Sequence, residues 1–164
     1  MNKTVILKEL AQLIKTTEKL IDFVEALPDG TQYVDDKEID FMTRTIWGEA
    51  RNQGEKGMEA VGHVIKNRAE SDFFPNTIEK VVTQPWQFSV WNQGNVNLDK
   101  MLNVTEDDPE FAKAKDIAKK IIMGMKPDIT RNADHYHEKQ IDPYWADDNN
   151  VTVRIGDHVF YRLM

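Results

Sequence analysis

The chain has 164 residues, 40% of them hydrophobic and 30% charged, which is enough to close one core without disulfide or metal staples. No apolar run reaches the ~18 residues that a bilayer span needs, and the lack of cysteine removes disulfides, thiolate metal sites and thiol nucleophiles together. A formal charge of −7 argues against a nucleic-acid partner, which calls for a basic face opposite phosphate, and provides no long-range steering towards an anionic polymer unless cations gather at the binding face.

The opening MNKTVILKELAQLIKTTEKL alternates apolar and charged residues. It lacks the continuous apolar centre and the small-residue cleavage site of a secretory leader. The expectation is synthesis in the cytoplasm, with any export by another route. Ile6, Leu10, Leu13, Ile14, Leu20, Ile21, Val24 and Leu27 put an apolar stripe on one helix face, ending at Pro28-Asp29-Gly30. Residues 1–34 therefore read as an N-terminal helical extension, expected to pack on the core or to dock a protein partner.

A second helix begins with Asp35 as N-cap and Glu38 three residues on. It carries Ile39, Met42, Ile46 and Ala50 on one face and ends in Trp47-Gly48-Glu49-Ala50-Arg51. Gly54 and Gly57 break the pattern. A third helix follows, with Met58, Val61, Val64, Ile65 and Arg68 on one side, and a short fourth spans about Thr77 to Thr83. Asp108-Pro109 pairs a cap with a first-turn proline, and Phe111, Ala114, Ala118 and Ile121 form the buried side of a helix that Gly124 stops. The period then changes: Val151, Val153 and Ile155 alternate with polar residues, Gly156-Asp157 makes a two-residue turn, and His158 to Arg162 alternates again, which predicts a β-hairpin. The expected class is α+β, mostly helical, with a small C-terminal β-hairpin and one core across residues 35–164.

Glu49 lies beside Trp47 near a helix end. An acid against an indole in a desolvated cleft has its pKa raised, because burial disfavours the charged form. Glycosidic cleavage needs such a donor at the bridging oxygen. The plainer reading is a solvated helix-end carboxylate paired with Arg51 or Lys56. Glu55 is the nearest candidate for an auxiliary carboxylate, and Glu59 reads as solvated helix surface. Gln84 to Asn92 interleaves Trp86, Phe88 and Trp91 with amides, a composition suited to sugar rings with apolar faces and hydroxyl edges, and Gln87 is expected to face a ligand ahead of Trp86. His135-Tyr136-His137 places two imidazoles on one side of a strand. With Asp134 or Glu138 they suggest a metal site, but two histidines fall short of the three or four ligands zinc takes, so no metal or other cofactor is expected.

In order along the chain, Trp47-Gly48-Glu49-Ala50-Arg51, the helix Gly57 to Arg68, Phe74-Pro75-Asn76-Thr77-Ile78 with Gln84-Pro85 and Gln87-Phe88-Ser89, His135-Tyr136-His137 with Pro143-Tyr144-Trp145-Ala146, and Ile155 to Arg162 resemble the SleB-type cell-wall hydrolases. That family includes spore-cortex-lytic enzymes and phage-encoded lysins. The resemblance implies a lysozyme-like fold for residues 35–164. It implies peptidoglycan glycan strands as partner and cleavage of the β-1,4 bond between N-acetylmuramic acid and N-acetylglucosamine. Glu49 then corresponds to the catalytic acid/base, and Gln87, Phe88, His135, Tyr136, His137 and Tyr144 are expected to line the sugar cleft. Members that act as lytic transglycosylases need one carboxylate, and that mechanism is preferred here. Many relatives carry Gly and Glu where this chain has Asn52 and Gln53, and an acid in place of Lys56, which leaves Glu55 as the only local auxiliary. The setting stays open between a phage endolysin, a virion component and a host remodelling enzyme acting on the bacterial cell wall. Two other readings stay open: a metal-dependent amidase or peptidase using His135 and His137, and a non-catalytic wall-binding phage protein.

Overall fold

The computed structural model describes residues 2–25 and 34–164, and the chain divides into two compact units, Met1–Tyr33 and Val34–Met164. The described residues of the first unit form one helix, α1 (Lys3–Glu25). Its expected end at Pro28-Asp29-Gly30 lies outside the described residues.

The second unit is mostly helical, with one small sheet. α2 (Asp36–Ala50) starts where Asp35 accepts a hydrogen bond from the Lys37 amide, at 2.9 Å. The expected reciprocal bond from Glu38 does not form. Its carboxylate accepts instead from the amides of Ile78 (2.6 Å) and Glu79 (3.3 Å). It thereby caps α4 (Ile78–Val82), which also has Thr77 as its own N-cap. One acid thus satisfies orphan amides of a helix some 40 residues away, a partner that no local pattern identifies.

α3 (Gly54–Ala69) begins earlier than the two glycines suggest, and Gly57 lies inside it. The reason is close approach: a Cβ at Gly57 would fall 2.3 Å from the Gln53 Cβ. Gln53 in turn accepts the Asp157 amide through its Oε1 at 3.1 Å, tying the α2–α3 turn to the hairpin tip. A short helix absent from the sequence reading, α5 (Leu98–Asn103), buries only Met101 and has no side-chain N-cap. Arg44 of α2 holds it by donating to the carbonyls of Met101 (2.6 Å) and Leu102 (3.1 Å). α6 (Pro109–Ile122) follows as expected, with Asp108 accepting from the amides of Glu110 and Phe111.

The core lies where α2, α3, α4 and α6 meet, around Met42, Ile46, Trp47, Met58, Val61, Val81, Phe111 and Ile117. At its edge sits an antiparallel sheet of order β1-β3-β2, made of β1 (His135–Glu138), β2 (Val151–Ile155) and β3 (His158–Tyr161). The expected hairpin is β2–β3. The addition of β1, with Tyr136 opposite Phe160, makes β3 the middle strand. All four of its residues are therefore buried instead of alternating, because one face meets Ala60 and Val64 of α3 through Phe160 and the other is covered by the ring of Trp145 against Tyr161.

Candidate active site

Glu49 sits one residue before the end of α2, half-buried. Successive helical residues turn by about 100°, so positions two apart point to nearly opposite sides. Trp47 accordingly faces the core at 0% exposure, its indole N–H donating to Asp108 at 3.4 Å, and it is not the neighbour of the Glu49 carboxylate. Gly48 between them lets the neighbouring segment come close: a Cβ there would fall 2.6 Å from Val90 Cγ2. The 3-10 turn Ser89–Trp91 therefore lies directly on α2, fixed from its other side by Trp91, whose indole donates to Thr45 at 2.8 Å.

This approach delivers the first ligand of the carboxylate. The Val90 amide donates to Glu49 Oε1 at 3.3 Å, and the Tyr136 hydroxyl donates to Oε2 at 3.2 Å. Burial raises the Glu49 pKa above the ordinary 4.5, opposed by the hydrogen bonds from Val90, Tyr136 and Ser89, while the negative charge of Glu138 raises it further. The expected cationic partner is otherwise engaged: Arg51 donates to the Gly48 carbonyl at 3.1 Å and lies 4.6 Å from the Trp47 ring centre. A carboxyl that meets neutral donors and a second acid, in place of a cation, is poised to hold a proton.

Tyr136 is itself firmly placed. Its ring packs against Phe160 at 5.6 Å and edge-on to His158 at 5.0 Å, and burial together with the Glu49 charge pushes its hydroxyl well above the usual tyrosine pKa of 10.0. It acts as a neutral donor. Beside it, Arg68 is 4% exposed, its guanidinium held between Phe74 (5.1 Å) and Phe88 (5.3 Å). It donates to the Asp134 carbonyl at 2.6 Å and to Gln87 Oε1 at 3.1 Å. Burial lowers its pKa from 12.5, and it links the Gln87 loop to the start of β1.

The expected cleft residues divide into groups. Tyr136 meets Glu49, and Gln87 is exposed on the loop leading to Val90. Phe88 is 1% exposed and belongs to the core, so it supports Arg68 from below and offers no face to a ligand. His135 and His137 point to the other side of β1, as strand alternation requires, and pack on Trp145 at 5.3 and 5.6 Å. Tyr144 is fully exposed; the aromatic that organises this side is Trp145. Glu55 is 65% exposed at its side chain and lies 3.5 Å from Lys126. The acid whose charge bears on Glu49 is Glu138, which the sequence suggests only as a metal ligand.

A metal reading of the two histidines meets a geometric obstacle. Both ring nitrogens of His137 are used, Nδ1 at 2.8 Å from the Glu138 carbonyl and Nε2 at 2.8 Å from the Tyr161 hydroxyl. His135 Nδ1 lies 2.7 Å from Asp134. His63, a conceivable third ligand, is buried on α3 between Glu59 and Asp128. Among the described residues no three His, Asp or Glu side chains are grouped to hold an ion. Val90, Ser89, Arg68 and Trp145 escape sequence reading as site residues. Val90 acts through its backbone, and Arg68 looks like one more member of a helix face.

A family model described as Cell Wall Hydrolase matches residues 52–161, beginning just after Glu49. The spore cortex-lytic enzyme of Bacillus subtilis (strain 168) is 24% identical over 123 residues, covering 75% of this chain and 37% of that protein. That of Oceanobacillus iheyensis is 36% identical over 62 residues, covering 38% of this chain and 22% of that one. The chain thus spans well under half the length of these relatives. Among solved structures, the catalytic domain of the Bacillus cereus SleB protein matches with a TM-score of 0.64 and 26% identity, over 83% of this chain and 95% of that one. The catalytic domain of the germination-specific lytic transglycosylase SleB from Bacillus anthracis matches with a TM-score of 0.63 and 26% identity, over 83% of this chain and 100% of that one. Matched by the family model over more than half its length, and sharing the lysozyme-like fold of the SleB catalytic domains, the chain belongs to the cell wall hydrolase family.

Proposed function

We propose that this protein cleaves the β-1,4 bond between N-acetylmuramic acid and N-acetylglucosamine in peptidoglycan, with Glu49 as the single proton-transferring carboxylate. The observation that carries the reading is the Glu49 carboxyl: its pKa is raised by burial, and it is held by the Val90 amide and the Tyr136 hydroxyl with no cation against it. The protonated acid gives its proton to the bridging oxygen as the bond to the muramoyl anomeric carbon breaks. The carboxylate left behind accepts hydrogen bonds from Val90 and Tyr136 and faces the oxocarbenium-like centre. It then takes the proton from the muramoyl 6-hydroxyl as that oxygen closes onto the anomeric carbon. The products are an anhydromuramoyl end and a free N-acetylglucosamine hydroxyl.

A transglycosylase route is favoured over hydrolysis because the expected auxiliary, Glu55, is exposed and next to Lys126, while Glu138 makes no hydrogen bond to Glu49 and acts on it through charge. Peptidoglycan glycan is then the substrate and the bacterial wall the place of action. Glu49→Gln should lower release of soluble fragments from purified sacculi by about 10²- to 10⁴-fold, the usual worth of a general acid. Mass spectrometry of wild-type products should show muramoyl ends one water lighter than reducing ends. Clearing by the variant at the wild-type rate refutes the role of Glu49, and reducing ends alone refute the transglycosylase route.

A further inference from the structure

The loop that supplies the Val90 amide to Glu49 also carries a residue that the catalytic reading leaves unused. The Gln87 amide donates to the Gln84 carbonyl at 3.2 Å, closing a turn in which Pro85 is second and Trp86 third. Trp86 has a φ of 68°, the left-handed backbone that the third position of a type II turn requires. Glycine or asparagine adopts it readily, whereas a bulky side chain is strained there. Trp86 carries that strain and buries nothing in return. It is 84% exposed, so no packing within its own unit offsets the cost. Strain of this kind gathers where a side chain meets a ligand.

The rest of the loop is anchored. Phe88 is in the core, the Trp91 indole donates to Thr45, Asn95 donates to the Ser89 carbonyl at 2.8 Å, and the Trp86 amide reaches the Asn92 side-chain oxygen at 3.4 Å. The indole is thus presented on a fixed support, which reduces the ordering cost of binding. Its position relative to the acid is bounded by chain length. Trp86 is four residues from Val90, and a chain spans at most about 3.5 Å per residue, so the two Cα atoms lie within about 14 Å of each other. The Val90 amide touches Glu49, which places Trp86 within a few sugar rings of that carboxyl. The adjacent Gln87 commits its side-chain oxygen to Arg68, whereas the indole has both faces to offer. Two other exposed rings, Phe73 and Tyr144, have neither the left-handed backbone nor a place on this loop.

We propose that Trp86 forms a glycan subsite, its indole stacking on the apolar face of an N-acetylhexosamine ring away from the scissile bond, a role that rests on the glycan reading of the Glu49 site. A pyranose presents C–H groups on its flat face, and the electron-rich face of an indole attracts them while both lose water.

Calorimetric titration of Glu49→Gln protein with short soluble glycan strands, freed of stem peptides, measures binding without cleavage. Adding Trp86→Gly should weaken that binding about tenfold, the worth of one stacked ring. Trp86→Phe should fall between, since a phenyl ring keeps a smaller plane. Glycine relieves the left-handed backbone, so the thermal unfolding midpoint of the Trp86→Gly protein should not fall. Unchanged affinity in Trp86→Gly overturns the subsite and leaves the role of Glu49 standing. Weaker binding with a lowered midpoint shows that the indole holds the loop together, and it overturns the subsite too. Strand binding that depends on Trp86, in a wild-type protein that releases no fragments, upholds the subsite and removes the catalytic role of Glu49. Absence of binding in the Glu49→Gln protein overturns the subsite, and clearing of sacculi by wild type then decides the catalytic reading separately.

Discussion

At the residue scale, the proton affinity of Glu49 is set by opposing influences, and two of them can be removed one at a time. Burial raises the pKa, the Tyr136 hydroxyl lowers it by stabilising the carboxylate, and the charge of Glu138 raises it. The protonated carboxyl is the donor in the proposed step, so activity falls as pH rises through this pKa. Tyr136→Phe deletes a donor to the charged form, and the alkaline limb of the rate profile should move to higher pH. Glu138→Gln deletes a negative neighbour, and the limb should move to lower pH while the plateau rate survives. If Glu138→Gln instead abolishes turnover as Glu49→Gln does, a second carboxylate takes part in the chemistry and the single-acid mechanism is wrong. The position of Glu49 near a helix end was legible in the sequence, and so was its place in an ordered set of blocks. Its environment was not. Adjacency in sequence suggested Trp47, but the helical turn sends that indole into the core, and the actual neighbours come from about 40 and 87 residues further along the chain.

At the scale of elements, helix starts were readable because their caps are local. Asp35 and Asp108 sit immediately before the helices they cap, and each accepts amide hydrogen bonds within its own first turn. The α2–α3 turn, the pairing of β1 with β3, and α5 were hidden for one shared reason: each is held by a distant partner. Gln53 grips Asp157, β1 exists by pairing with β3, and α5 hangs from Arg44. Glu38 shows what such a partner is worth. Its carboxylate holds the amides of Ile78 and Glu79 at the positive end of α4, where a charged cap adds to the helix dipole. Glu38→Ala should cost about 1–2 kcal/mol, which lowers the midpoint of thermal unfolding by roughly 2–8 °C in a protein of this size. Lys37→Ala is the control. It breaks the Lys37–Glu79 pair, whose side chains are 60% and 39% exposed, and exposed pairs contribute about 0–1 kcal/mol, so its midpoint should hardly move. Equal losses from both would show that α4 is held by the surface charge pattern and not by the cap. Neither residue touches Glu49, and the rate below the unfolding range should be unchanged in both variants.

At the scale of the whole molecule, the sequence reading set an N-terminal helical extension over residues 1–34 apart from a core with mixed helical and strand periods. The two compact units fall on either side of Tyr33–Val34. Charge is the property that belongs to neither unit's packing. The formal value is −7, and α1 is neutral, so nearly all the excess lies beyond it. About half of the cations beyond α1 lie in ion pairs, among them Lys139 with Asp157, Arg154 with Asp148, Lys66 with Glu70 and Lys126 with Glu59. Two basic residues at the sheet, Lys139 and Arg154, are thus offset by acids, which weakens their pull on an anionic polymer. On the proposed substrate, an acidic protein approaching an anionic wall meets repulsion before it meets the bond. Raising the ionic strength from about 10 to 150 mM shortens the screening length from ~30 to ~8 Å, which weakens that repulsion but leaves the contacts inside the cleft nearly intact. Clearing of purified sacculi should accelerate over this range, while the rate on short neutral glycan fragments stays flat. A clearing rate that falls with salt would mean that Lys and Arg side chains gather on the substrate face and steer the polymer inwards, and the wall-facing surface would then have to be sought where those cations are.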